Sequence, residues 1–400
     1  MNVILVSNVC SDEEYCYVQS IKHTQKLNAS QKFFDMLVQG LVAGPDVNVT
    51  CLTARFIAAS TSNVKYLAEK TERVSEQLCY HYVKIPNWPI VRNLSNIVQG
   101  YKRGRRLVKK LTRDDECVLI CDPLAYDISF GAVCGMHGRK VRKCALITDL
   151  PYYMHQIKKE VNTAVLKNGI KTKFMDWLID RFDCYCFLTE SMNIVNPKKK
   201  PYVIVEGMIY GDTEDIKENR VNNNVVVYAG GLYEQFGMLD LLEAAKNVKA
   251  SGFELHLYGE GTCVDAIQRV SEEYPHIKYM GTSNLKEIVE IEKQAKLLIN
   301  PRPSGEKFTE YSFPSKTIEY MSTARPVLTT RLKGIPDEYF DYIYAIEDES
   351  ADGIRQAIEF CLNLDSQELD KRGIQALQFL RANKTNAIQA ERLLEVLQND

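Results

Sequence analysis

Residues 298–321, LINPRPSGEKFTEYSFPSKTIEYM, hold the residue types and spacing best suited to chemistry in this chain. A short apolar strand ending at Ile299 runs into a polar loop, and Ser312-Phe313-Pro314-Ser315 opens a helix that carries Lys316 and Glu319. Pro314 suits the first helical turn, where its missing N–H has no partner to lose. The free amides of Ser315 and Lys316, backed by the helix dipole, form a seat for an anion such as a diphosphate. One turn on, Glu319 is spaced to accept hydrogen bonds from vicinal hydroxyls, as on a ribose. Two readings fit these residues: a nucleotide-diphosphate site, or a capped core helix with Glu319 in a structural salt bridge.

The elements that would position such a site follow from the pattern on either side. At 400 residues, with 45% apolar and 26% charged residues and a net charge of −2, the chain has the composition of a globular protein of two domains. Near-continuous apolar strands alternate with helices. The first series is 2–6, 47–53, 80–84, 117–121, 143–148, 183–188 and 202–205, with helices at 30–42, 90–111 and 161–181. A charged, Asn-rich linker is expected at 210–224. A second series follows at 225–229, 254–258, 277–279, 296–299, 327–329 and 342–346. This is an α/β pattern of two doubly wound, Rossmann-like domains in series, with a ligand crevice expected at strand C-terminal ends between them. The twelve cysteines are scattered and form no CxxC pair, which fits reduced thiols in a cytosolic protein. No signal segment or membrane span is expected.

The second series carries glycines at its strand ends: Gly230-Gly231, Gly259 and Gly261 around Glu260, Gly281, and Gly305. Glycine there lets backbone approach a flat or phosphorylated ligand, although a lone pair is more often just a turn. The first series has no glycine before Gly40, so it lacks the GxGxxG of a dinucleotide site.

Together YAGGLYEQFGMLDLLEA, LYGEG, INPRPSGEKFTEYSFPSKTIEYMSTARPVLTT and GIPDEY resemble the C-terminal half of a GT-B glycosyltransferase of family 4. More narrowly they are similar to bacterial capsule, exopolysaccharide and O-antigen members with an SFPSK-EYM signature. The resemblance is specific over about 202–346 and looser upstream. It implies a retaining glycosyltransferase that moves a sugar from a nucleotide-diphosphate donor to a lipid-linked glycan acceptor, with no other cofactor. It implies an acceptor domain at 1–208, a donor domain at 209–375 and a helix at 376–400 crossing back, for which 369–397 has the periodicity.

Carried over by position, Glu319 corresponds to the glutamate that holds the donor ribose, and Ser315 and Lys316 to the helix start that meets the distal phosphate. Gly230, Gly231, Tyr258, Gly259, Gly261, Tyr279 and Met280 correspond to loops lining the nucleotide. The sequence departs from the family in two places. The E-x7-E pair is incomplete, because Tyr311 stands where its first glutamate belongs and Glu310 lies one place out of register. The family's Arg and Lys after the first strand of this domain are replaced by Gly231 and Phe236. Lys316 and Arg302 are then the candidate cations for the leaving diphosphate; Arg302 reads equally as a surface arginine.

In the first domain Asp149 follows the 143–148 strand, where it can orient or deprotonate an acceptor hydroxyl, or simply cap the Pro151 turn. His155, Asp122 and the pair Asn28 and Ser30 are weaker candidates, the last two as helix caps. No His or Cys pair has metal-ligand spacing, so no metal is expected. The stretch 101–113, YKRGRRLVKKLTR, carries seven Lys or Arg and no acid. It is expected to turn an apolar stripe (Ile90, Leu94, Ile97, Tyr101, Val108, Leu111) inward and its cations outward, either as a solvated face or as a peripheral contact with an anionic membrane at the inner face of the plasma membrane. Nucleic acid is disfavoured. Two further readings remain beside the transferase: a GT-B nucleotide-sugar epimerase, and a non-catalytic nucleotide-sugar binder.

Overall fold

The computed structural model describes residues 1–23, 29–111, 116–150, 173–211 and 223–398. The chain divides into two compact units, Met1–Tyr210 with Asn386–Asp400, and Gly211–Thr385.

Unit 1 is built on strands β1 (Asn2–Ser7), β2 (Asn48–Thr53), β3 (Tyr66–Leu67), β4 (Lys70–Arg73), β5 (Leu78–Tyr82), β6 (Ile85–Pro86), β7 (Cys117–Cys121), β8 (Arg142–Ile147), β9 (Cys184–Phe187) and β10 (Tyr202–Ile204). Eight of them form one sheet in the order β10-β9-β8-β7-β1-β2-β5-β4. All neighbours run parallel except β4, which is antiparallel to β5. The central strand β1 is buried on both faces, with Val3, Ile4, Leu5 and Val6 all at 0% exposure. Each such side chain contributes about 1.5–3 kcal/mol of burial. The order reverses between β1 and β7, so the C-terminal ends of those two strands form the switch point of this sheet.

The helices of unit 1 are α1 (Asp12–Ser20), α2 (Ala29–Val42), α3 (Pro89–Leu111), α4 (Tyr126–Gly135), and a helical run α5 (173–179). The expected helix 161–181 is described only from residue 173 on. α2 begins at Ala29, which places Ser30 inside the helix; Asn28 and His155 lie outside the described residues. The expected orientation of the helix at 90–111 holds for Val108 and for the outward cations, but it is reversed for Ile90, Leu94 and Tyr101. α3 buries Asn96, Gly100, Gly104 and Val108, while Ile90, Leu94 and Tyr101 are exposed. Glycine explains the reversal, because α3 and α4 meet backbone to backbone. A Cβ on Gly131 would stand 2.1 Å from the Ile97 carbonyl oxygen, and one on Gly100 would stand 2.4 Å from that of Ile128.

Unit 2 has strands β11 (Asn224–Ala229), β12 (Phe253–Tyr258), β13 (Ile277–Gly281), β14 (Leu297–Asn300), β15 (Val327–Thr330) and β16 (Tyr344–Ile346) in one parallel sheet. Their order, β13-β12-β11-β14-β15-β16, reverses between β11 and β14. Its helices are α6 (Met238–Lys246), α7 (Val264–Glu273), α8 (Leu285–Lys293), α9 (Ser315–Met321), α10 (Ala351–Asn363) and α11 (Ser366–Asn383). Asn284 caps α8 in a reciprocal capping box with Glu287.

The single C-terminal helix expected from 369–397 is two helices. α11 stays in unit 2, and α12 (Asn386–Gln398) belongs to unit 1. The break falls at Lys384-Thr385. The buried Lys384 reaches Glu338 at 2.8 Å, and the Asn386 amide donates to the Ile209 carbonyl, also at 2.8 Å. A Cβ on Gly40 would lie 2.1 Å from the Asn386 carbonyl oxygen, so Gly40 is what lets α12 start against α2. Among the described residues, no helix is long and apolar enough to cross a membrane.

Candidate functional site

The glycine loops of unit 2 are laced together at the C-terminal ends of β11, β12 and β13. The Gly230 amide donates to the Tyr258 carbonyl (2.9 Å), Leu232 to Glu260 (2.8 Å) and Gly259 to Gly281 (2.9 Å). The Tyr279 hydroxyl donates to the Gly259 carbonyl at 3.1 Å, and the buried Tyr228 hydroxyl closes the first loop on the Gly231 carbonyl at 2.9 Å. Two of these glycines are dictated by the loops themselves. Gly259 has φ +136°, and a Cβ there would stand 1.8 Å from the Gly230 carbonyl oxygen; one on Gly261 would stand 2.1 Å from that of Leu232. Close approach of backbone to backbone, rather than to a ligand, is their structural requirement. Met280 is exposed at the end of β13, and Tyr258 is buried at the end of β12.

α9 is fastened to the same edge by a residue whose role the sequence did not reveal. Tyr320 is fully buried, and its hydroxyl accepts from the Ala229 amide at 2.9 Å and donates to the Ala229 carbonyl at 3.3 Å. The helix start is thereby held beside the Gly230-Gly231 loop. Pro314 stands at the N-cap, one residue earlier than expected, and its carbonyl takes the Thr317 amide at 2.9 Å. The Ser315 and Lys316 amides have no acceptor among the described residues. Lys316 and Glu319 are both half-buried and pair with each other at 2.9 Å, as their i,i+3 spacing allows.

Arg302 follows β14 and lies with its guanidinium 4.9 Å from the ring centre of Phe236 and 4.5 Å from that of Phe308. Gly237 brings the two loops together: it has φ +78°, and a Cβ there would fall 2.1 Å from the Pro301 carbonyl oxygen. The Arg302 guanidinium thus reaches the Phe236 ring from another loop. Glu310 is held by Lys333, and Tyr311 is buried at the end of the 3-10 turn Lys307–Glu310. Glycine loops, α9 start, Glu319 and Arg302 thus gather at the carboxyl edge of one sheet, around the β11/β14 switch point. A separate cavity of about 530 Å³ opens along edge strand β16, lined by Arg331, Phe340, Tyr344, Phe360 and Arg372, and includes none of these groups.

In unit 1, Asp122 and Asp149 follow the adjacent parallel strands β7 and β8. Asp122 is buried and accepts from the Leu124 amide at 2.8 Å. Burial pushes its carboxyl from an ordinary 3.8 up to about 7, opposed by the Leu124 and Ala125 amides and assisted by the negative charge of Asp149. Asp149 is half-buried. Because the folded state holds the Asp122 proton more tightly than the unfolded chain, stability falls as pH rises from about 4 to 7. Asp122→Asn should remove that loss while keeping the bond to Leu124. The variant should match wild type near pH 4 and exceed it at pH 8, by as much as about 4 kcal/mol. Chemical denaturation at the two pH values measures the difference; an equal effect at both would show that Asp122 is already ionised at pH 4.

Residues 223–363 match the model of the family described as glycosyl transferases group 1. No curated protein matches the sequence significantly. Among solved structures, the chain is similar to sucrose-phosphate synthase from Thermosynechococcus elongatus, with a TM-score of 0.67, 13% identity and coverage of 99% of this chain and 98% of that one. It is also similar to a UDP-forming α,α-trehalose-phosphate synthase from Burkholderia xenovorans in complex with glucose-6-phosphate (TM-score 0.63, 12% identity, 99% and 100%). A third similar structure is a mutant of S. aureus TarM in complex with fondaparinux, α-GlcNAc-glycerol and UDP, at TM-score 0.56 and 15% identity. That match covers 79% of this chain, which spans 60% of the TarM chain. The fold is GT-B, and the chain is an enzyme of the glycosyltransferase class.

Proposed function

We propose that this protein is a retaining glycosyltransferase that moves a sugar from a nucleotide-diphosphate donor to a lipid-linked glycan acceptor, in the synthesis of a cell-surface polysaccharide such as a capsule, exopolysaccharide or O-antigen. The observation that carries the reading is the convergence at the carboxyl edge of unit 2. An anion-ready helix start, a carboxylate one turn along it and two cations stand together beside the β11/β14 switch point. In this reading Glu319 holds the ribose and the Ser315 and Lys316 amides seat the distal phosphate. The Lys316 and Arg302 side chains neutralise the leaving diphosphate, and Glu310 or Tyr311 substitutes for the missing first glutamate. Gly230, Gly231, Tyr258, Gly259, Gly261, Tyr279 and Met280 line the nucleotide. The donor belongs to the 209–375 domain and the acceptor, with Asp149, to the 1–208 domain. The reaction takes place in the cytoplasm, at the inner face of the plasma membrane, with the 101–113 stretch as the contact. TarM in complex with UDP holds the nucleoside diphosphate that a UDP-sugar donor of the kind this reading requires would leave behind.

One observation favours a second reading. Gly231 and Phe236 remove the family's cation pair, and Lys316 is engaged with Glu319, as a binder that no longer transfers would permit. A nucleotide-sugar panel read by thermal unfolding, followed by turnover with an acceptor extract, separates the two. A ligand at 100 times its Kd should stabilise the protein by about 2.7 kcal/mol. Stabilisation with turnover supports the transferase, and stabilisation without it supports the binder. A panel that shifts nothing removes both.

A further inference from the structure

α3 carries its large apolar side chains on the side away from the fold. Its close approach to α4 buries glycine and backbone, so Ile90 (77% exposed), Leu94 (60%), Val98 (48%) and Tyr101 (41%) follow one another at three- and four-residue steps along a solvent-facing stripe. Trp88, 54% exposed, stands immediately before the helix, and Val91 lies beside the stripe. Two more exposed aromatics border its start. The Arg92 guanidinium donates to the Ile57 carbonyl at 2.6 Å, bringing Phe56 to the first turn. The Asn87 amide donates to the Lys65 carbonyl at 2.8 Å, and Tyr66 pairs with Pro86, two residues before Trp88. Four residues past Tyr101 the same stripe continues as Arg105, with Lys102, Arg106, Lys109 and Lys110 also exposed. Arg103 alone of this basic group is drawn in, by Glu69. From Pro89 to Leu111 the helix contains no Asp or Glu.

We propose that this face of α3 is a lipid-docking surface that lies in the plane of an anionic leaflet. Its apolar first half enters the acyl boundary, and its basic second half sits among the headgroups. Charge complementarity selects the occupant: an acid-free helix that passes from an apolar row with Trp and Tyr at its border to a cluster of exposed cations matches a negatively charged lipid surface. A second copy of the chain fits worse. Paired parallel, the two basic halves would meet; paired antiparallel, each basic half would be desolvated against the other's apolar row. The inference deepens the membrane-face reading above and rests on it only for the identity of the acceptor. It differs from a purely electrostatic contact in requiring the apolar row to leave water.

The chain has two tryptophans, Trp88 and Trp177, so Trp177→Phe leaves Trp88 as the single reporter at the edge of the row. Full-length protein is titrated with phosphatidylcholine vesicles, with and without phosphatidylglycerol, in the absence of donor and acceptor. On anionic vesicles Trp88 emission should shift to the blue and become shielded from acrylamide. Each exposed cation replaced by Gln should lower partitioning about fivefold. Leu94→Asp with Val98→Asp should abolish the emission change without altering the thermal midpoint, because both side chains are solvent-exposed. Two results overturn the proposal: sedimentation with anionic vesicles while Trp88 stays in water, or a blue shift that grows with protein concentration alone and tracks a dimer in sedimentation equilibrium. Either would leave nucleotide-sugar binding as it was, and a failed nucleotide-sugar panel would leave the vesicle result standing.

Discussion

Glu319→Gln should weaken binding of the nucleotide diphosphate about ten- to hundredfold and leave the fold intact. The carboxylate is the group proposed to accept from the ribose hydroxyls. A hydrogen bond to a charged acceptor is worth roughly 1.5–3 kcal/mol, which converts to that range of affinity. The substitution also breaks the 2.9 Å pair with Lys316, but both side chains are partly in water. Such pairs contribute about 0–1 kcal/mol to folding. α9 keeps its anchor, because the Tyr320 hydroxyl holds both polar groups of the Ala229 backbone from the buried side of the helix. Isothermal titration with the nucleoside diphosphate, alongside an unfolding curve, measures both quantities. Unchanged affinity would assign Glu319 to the structural salt bridge with Lys316 and nothing more.

The strands of both sheets were legible because parallel strands covered on both faces read as apolar runs, as in Val3 to Val6 and Leu297 to Ile299. The short strands β3, β4 and β6 were not. Lys70-Thr71-Glu72-Arg73 shows no apolar alternation because β4 is an edge strand with most of its residues exposed. Periodicity located α3 and put Val108 inward and the cations outward, but it placed Ile90, Leu94 and Tyr101 on the wrong side. A stripe at helical spacing fixes which residues share a face, whereas the partner decides which face is buried, and here Gly100, Gly104, Gly131 and Gly135 made the glycine face the one that fits. The same limit applies at the C-terminus, where apolar residues at helical spacing lie on both sides of Lys384-Thr385 although the chain changes units there. At the candidate site the type and spacing of Ser315, Lys316 and Glu319 were legible. The work of Tyr228 and Tyr320 was not: a tyrosine within an apolar run reads as core, and its hydroxyl partner is a carbonyl set by tertiary structure alone. Arg302 was legible as a cation, but its place over Phe236 depends on Gly237, whose positive φ has no signal beyond the residue type.

Asp149→Asn should suppress sugar transfer about a hundred- to ten-thousandfold, the span expected when a positioned general base is lost, while donor affinity stays near that of wild type. The two halves of this expectation have separate origins. Asp149 stands at the C-terminal end of β8 in unit 1, whereas Glu319, Lys316 and Arg302 belong to unit 2. Asparagine fills the same volume and can still accept a hydrogen bond at the turn, but it cannot take a proton from an acceptor hydroxyl. A structural readout accompanies the kinetic one. The charge of Asp149 helps hold the Asp122 carboxyl up near 7, so neutralising it should shrink the stability lost between pH 4 and 7 whatever part Asp149 plays in transfer. Single-turnover transfer, donor titration and the pH profile of unfolding therefore give three independent numbers for one variant. Lost transfer with donor affinity preserved and a flatter stability profile marks a group that serves the acceptor. A flatter profile with transfer intact marks a carboxylate that only tunes its neighbour. Donor affinity falling in parallel with a lowered midpoint marks a turn cap whose loss loosens the loop after β8.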